Sequence, residues 1–122
     1  MNGQPDLRDR VNTIAEGLPG AELTHPFDQA HDAWKVGGKM FTCIGAVNPG
    51  VSVKTPDTET AAMLIETGVA QRAPYFHRSW VQLPPTVPTD ELQHRIFVSY
   101  DTVRGGLTKK LQASLPLRVQ EV

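Results

Sequence analysis

The chain has a single cysteine, Cys43, in 122 residues. That excludes an internal disulfide and a cysteine-rich zinc site. No apolar run approaches the ~18–20 residues that a membrane span needs. The opening stretch, MNGQPDLRDR, is polar and has no apolar segment of the secretory kind, so the expectation is a cytoplasmic protein with no membrane partner. A strong charge of one sign is also missing. The formal net charge is −1, whereas a protein that tracks phosphates usually carries a basic excess.

The motifs that would announce chemistry are missing too. His25, His31, His77 and His94 form no HExxH, and there is no CxxC to complete a ligand set. There is no GxxxxGK[ST], no GxGxxG and no GxSxG. Gly37-Gly38-Lys39 imitates a phosphate loop, but it lies between two strand-like runs instead of ahead of a helix. Cys43 sits in mid-strand on an apolar face, where a structural thiol is expected. Acid pairs such as Asp90-Glu91 fall where helix starts favour acids. The expectation is therefore a non-enzymatic protein with no metal and no cofactor.

What is present reads as one α+β domain spanning 1–122. Leu7, Val11, Ile14 and Leu18 make one helical stripe, begun near Pro5 and Asp6 and ended by Leu18-Pro19-Gly20. From Ala33 to Val47, Gly37-Gly38 divides two apolar runs, which is a two-residue hairpin signal. Alternation then puts Trp34, Val36, Phe41 and Cys43 on one face, and Lys35, Met40, Thr42 and Ile44 on the other. Asn48-Pro49-Gly50 turns into a short strand, Val51 to Lys54. Thr55 and Pro56 are placed to open a second helix, which Gly68 ends. Two short strands follow within Val69 to Leu83, stopped by Pro84-Pro85. Leu92, Ile96, Tyr100, Val103, Leu107 and Leu111 predict a last helix capped by Thr89. Gly105 and Gly106 inside it cost about 1 kcal/mol each against alanine. The order is α-β-β-β-α-β-β-α, with about five antiparallel strands and helices packed on the sheet.

Charge is segregated along this order. Segments 32–54, 72–89 and 104–122 are net positive, and those between them net negative. One positive segment holds the densest aromatic and basic run, Tyr75, Phe76, His77, Arg78 and Trp80. Flat rings beside cations stack bases and meet phosphates. The plainer reading puts Tyr75 and Trp80 in the core and His77 and Arg78 on a solvated turn, and alternation favours it.

Five ordered blocks resemble the MmcQ/YjbR family over roughly residues 5 to 115: L-P-G at Leu18–Gly20, W-K-V-G-G-K-M-F at Trp34–Phe41, V-S-V-K at Val51–Lys54, A-P-Y-F-H-x-x-W at Ala73–Trp80, and D-E-L with S-Y at Asp90–Leu92 and Ser99–Tyr100. The resemblance implies a CyaY-like α+β fold. It also implies DNA binding, the role commonly attached to the family together with a proposed double-wing shape. Trp34, Lys35, Lys39, Lys54, Tyr75, His77 and Trp80 match the family's recurring polar and aromatic positions. The family's longer Y-H-M-N-K-x-H-W segment is shortened here and lacks the Asn-Lys pair. The fold name also brings in frataxins, which hold iron on an acidic first helix, and Asp6, Asp9 and Glu16 are too sparse for that. The expected nucleic-acid-binding residues are Lys35, Lys39, Lys54, Arg72, Tyr75, His77, Arg78 and Trp80, with DNA as partner. The alternative is a small protein-interaction or ligand-binding domain.

Overall fold

The computed structural model describes residues 6–25, 31–45 and 50–117. Pro5, the far end of the expected hairpin at Ala46 and Val47, and Asn48-Pro49 lie outside them. The elements run α1 (Leu7–Glu16), β1 (Glu22–Thr24), β2 (Asp32–Val36), β3 (Lys39–Ile44), β4 (Val51–Lys54), α2 (Thr58–Glu66), β5 (Gln71–Arg72), β6 (Trp80–Leu83), α3 (Thr89–Gly105) and α4 (Lys109–Ser114). The strands form one six-stranded sheet in the order β1-β2-β3-β4-β6-β5, and each neighbouring pair is antiparallel. The α+β expectation holds. It is extended by β1, a three-residue edge strand, and by α4.

Each helix forms for a local reason. Asp6 caps α1 by accepting from the Asp9 amide at 2.8 Å. The cap of α2 is Asp57, not Thr55, and it accepts from the Thr60 amide at 2.7 Å. Thr55 is used elsewhere, as a buried hydroxyl whose one proton is shared between the carbonyls of Asp57 and Ser79. Helix α3 has Pro88, not Thr89, as its N-cap, and no side chain caps it. It does not run through to Leu111. It stops at Gly105-Gly106, and Thr108 caps the short α4 in its place. Leu107 leaves the helical stripe and packs at the tip of the β2–β3 hairpin, where a Cβ on Gly37 would lie 2.5 Å from its Cδ1. Gly37 and Gly38 both have positive φ, 58° and 81°, as the two-residue turn requires.

One continuous core joins the three longer helices to one face of the sheet. Val11 and Ala15 from α1, Ala61 and Leu64 from α2, and Leu92, Ile96 and Tyr100 from α3 meet Trp34, Val36, Phe41, Val51, Val53, Val81 and Leu83. The expected face assignment of β3 changes partway along. Trp34 opposes Thr42 and Lys35 opposes Met40, so Phe41 is an extra residue with no opposite number. Such a bulge reverses the alternation beyond it. Trp34, Val36 and Phe41 stay on the core face as predicted. Thr42 and Ile44 join them, and Cys43 turns to the opposite face.

Polar ties fix the helices to the sheet. The Trp34 indole donates to Asn12 Oδ1 at 2.8 Å, Asn12 donates to Asp32, and Arg8 meets Asp32 at 2.6 Å. Arg10 crosses from α1 to the turn before α3, donating to the carbonyls of Val87 and Pro85 at 2.7 and 2.9 Å.

The Asp57 cap gives the stability of α2 a pH dependence. Its carboxyl is held below the usual carboxylate value first by the Thr60 amide hydrogen bond, with the Thr60 side chain and the Glu59 amide adding to it. A depressed pKa in the folded state contributes stability that is complete above the unfolded value and lost as pH falls through the folded one. Thermal melts between neutral pH and pH 2 are expected to show Asp57→Ala less stable than wild type at pH 7, with the difference closing in acid. Asp57→Asn keeps the cap at both ends of the range.

Candidate nucleic-acid interface

The sheet face away from the helices carries the side chains that alternate with the core. Cys43, Ser52 and Gln82 stand in one register row across β3, β4 and β6. The next row towards the hairpin tip holds Lys54 and Trp80, again directly opposed. Met40 and Lys35 face each other across β3 and β2 at the same end.

At that end the sheet is held open. The β3–β4 ladder stops at Thr42 and Val53. The next pair would be the Phe41 carbonyl and the Lys54 amide, and the Ser99 hydroxyl from α3 stands between them. It donates to the Phe41 carbonyl and accepts from the Lys54 amide at 2.8 Å. Both backbone groups are satisfied while the strands part. The parting leaves a shallow cleft lined by Lys39, Met40, Lys54, Trp80 and the end of α3 at Thr102, Val103 and Gly106.

The loop from Ala73 to Ser79 closes one side. The Phe76 amide bonds the Ala73 carbonyl at 3.3 Å, so Ala73–Phe76 is a β-turn with Pro74 and Tyr75 at its centre. Pro74 fixes a negative φ at the first central position, and Tyr75 takes φ 70° at the second. This is a type II turn, whose second centre favours glycine. The Tyr75 side chain is fully exposed, at 105% of its reference area. Phe76 folds back and stacks on Trp80, with centroids 4.5 Å apart and 28° between planes. Beyond it Ser79 ties the loop to β4. Lys54 Nζ donates to Ser79 Oγ at 2.9 Å, and that oxygen lies 3.0 Å from His77 Nδ1. The Ser79 amide also donates to Nδ1, at 3.1 Å.

An amine, a hydroxyl and an imidazole in a row resemble a nucleophile and its activators. Here Ser79 is only 4% exposed and its carbonyl is gripped by both the amide and the hydroxyl of Thr55. The row is a fastening for the loop. Cys43 is no better a nucleophile. Burial first, then the negative charge of Asp32, raise its thiol pKa against the opposing pull of Arg8, which keeps it protonated. His25 and His31 do come together, with His25 Nδ1 3.0 Å from the His31 carbonyl and 3.3 Å from Asp32. Among the described residues no group of three or more metal-ligating side chains occurs.

The eight residues singled out from the sequence fall in three places. Lys39, Lys54 and Trp80 share the cleft, and His77 reaches Lys54 through Ser79. Lys35 lies on the same face, but Glu22 of β1 stands directly opposite it. Arg72 and Arg78 are apart, in a groove beside α2 that also holds Glu59. Tyr75 borders a third hollow, between the loop and the register row of Cys43. Neither sequence reading of the two aromatics is right for both. Tyr75 is bare, whereas Trp80 is 8% exposed and packs on the outer face under Phe76, outside the helix-covered core.

Two cations escaped the sequence reading. Lys109 and Lys110 open α4 and are exposed. The contact of Leu107 with Gly37 ties the segment leading into this helix to the hairpin tip, two residues from Lys39 in the chain. The third positive segment in the sequence was the available signal, and a straight α3 would have carried it away from the tip. Arg104 in the same segment is occupied, bonding the Tyr100 hydroxyl at 2.8 Å and the Leu115 carbonyl at 3.2 Å.

The Ser99 bridge is testable. Ser99→Ala leaves a carbonyl and an amide without their partner, and is expected to cost about 2–4 kcal/mol in urea unfolding. Ser99→Thr, which keeps the hydroxyl, is expected to recover part of that loss.

The likeness to known proteins follows the same architecture. A comparison with the curated proteins finds no match. Among solved structures, Deinococcus radiodurans protein DR2400, described as containing a DUF419 domain, superposes with a TM-score of 0.78. The two share 22% sequence identity over 89% of this chain and 87% of that one, which speaks for the fold. The YjbR family model matches residues 16–102. That stretch takes in the hairpin, the exposed turn and the strand side of the cleft, and the chain belongs to the YjbR family.

Proposed function

We propose that this YjbR-family protein binds nucleic acid without catalysis, through the end of the molecule where the hairpin tip, the cleft and α4 meet. The observation that carries this reading is the sharing of one cleft by Lys39 and Lys54, with Lys109 and Lys110 following the segment whose Leu107 packs on the hairpin tip, in a chain whose net charge is −1. Lys39, Lys109 and Lys110 are exposed, and none of them makes an ion pair or a side-chain hydrogen bond among the described residues. A local patch of this kind attracts phosphates although the whole chain is slightly acidic. Asp101, one residue from the cleft, keeps the patch modest. DNA is the partner that family membership favours.

The hollow beneath Tyr75 favours a second reading, a small-ligand domain. It has a volume of about 280 Å³, near the lower end of the usual range for ligand pockets. A thermal shift from a small molecule that persists unchanged in high salt would support that reading over the first.

Four phosphate contacts give a log-log salt slope of about −3 to −4. Titrating labelled duplex and single-stranded DNA at two salt concentrations is expected to return that slope, and Lys39→Glu with Lys109→Glu is expected to flatten it by about 2. Failure to bind either DNA at micromolar protein in low salt overturns the proposal.

A further inference from the structure

We infer that the hollow beneath Tyr75 holds one unpaired base of a single-stranded nucleic acid, an inference that rests on the nucleic-acid reading above and gives it a strand preference. Three observations converge. The first is the conformation of Tyr75. A tyrosine at φ 70° occupies a turn position suited to glycine, and its ring is wholly exposed, so folding does not explain it. Backbone strain held for an exposed aromatic points to a contact made by that ring. The second is the hollow itself. Its apolar sides come from Met40, Phe76 and Pro74, and its floor is the register row of Cys43, Ser52 and Gln82. Gln82 Oε1 takes a hydrogen bond from Gln71 at 2.9 Å, while Gln82 Nε2 and the Ser52 hydroxyl have no partner among the described residues. A donor and a hydroxyl at the base of an apolar slot suit the edge of a flat heterocycle. A volume of about 280 Å³ admits one ring system and excludes a base pair.

The third observation is charge. Met40 borders both this hollow and the cleft of Lys39 and Lys54, so the two adjoin at that side chain. A base seated under Tyr75 leaves its backbone leading towards cations. Duplex bases are stacked and paired, and entry to the hollow requires an unstacked one.

The test measures anisotropy of a labelled oligothymidylate and of a hairpin duplex in low salt, for wild type, Tyr75→Gly and Tyr75→Phe. It is paired with the alkylation rate of Cys43 and with the Tm of each variant. Wild type is expected to prefer the single strand. Tyr75→Gly is expected to lower the single-strand to duplex affinity ratio about tenfold, the usual scale for one lost stacking ring. Its Tm should be no lower than that of wild type, since relief of the positive φ offsets the added freedom of the unfolded chain. Tyr75→Phe should keep a higher ratio than Tyr75→Gly, and saturating oligothymidylate should slow alkylation of Cys43. An affinity ratio unaffected by Tyr75→Gly, or alkylation unaffected by bound oligonucleotide, overturns the base site while leaving lysine-mediated binding intact. Absence of binding to both nucleic acids overturns the nucleic-acid reading and this inference with it.

Discussion

The outer face of this sheet depends on one hydroxyl. Ser99 satisfies a carbonyl of β3 and an amide of β4 at the point where their ladder would have gone on. A sheet normally ends because its residues run out. Here it ends because a helix reaches in and takes the next pair of backbone groups. The consequence spreads in both directions. Towards the core, α3 is pinned across the two central strands, which places Tyr100 edge-on to Phe41 at 5.4 Å and lets its hydroxyl bond the Pro19 carbonyl. Towards solvent, the separated strand ends form the cleft walls and aim Lys54 at Ser79.

The bulge at Phe41 acts with that bridge. It gives β3 one residue more than β2 opposes, so Met40 and Cys43 both reach the outer face although two residues lie between them, a spacing that plain alternation would put on opposite faces. Without it, Cys43 would point into the core and Ile44 would lie in the hollow. The carbonyl that Ser99 captures belongs to the bulged residue itself. A local irregularity in one strand and a polar residue in the middle of a helix are thus two halves of one arrangement.

Much of the fold was legible in the sequence, because it rests on periodicity and turn chemistry. The stripe from Leu7 to Leu18, the Gly37-Gly38 turn and the Leu92-to-Val103 face all appear as read. The misses have a common cause in tertiary contact. Alternation along Lys39–Ile44 cannot reveal a bulge, since nothing in Met-Phe-Thr marks one. The spacing of Leu107 and Leu111 continues the helical stripe, yet Leu107 finds its partner at Gly37, from which it is far removed in the chain. Strand β1 is too short and too polar to show an alternating pattern. In the candidate site, the aromatic and basic run was visible as composition. Which ring is bare and which is stacked was not, since that turns on the positive φ of Tyr75. The YjbR membership agrees with the resemblance seen in the five motif blocks.

The seat of Leu107 against Gly37 has a mechanical consequence. The hairpin tip and the segment leading into α4 are clasped together where the Leu107 side chain packs on Gly37, which has none of its own, and Arg104 joins α3 to the Leu115 carbonyl behind it. That contact couples the two jaws. Charges mounted on them keep a set spacing like the points of a caliper, so under the proposed function a chain of phosphates would be measured against that gauge. Little ordering entropy is then left to lose on contact, and a ligand whose repeat does not fit the gauge gains little from the charge alone.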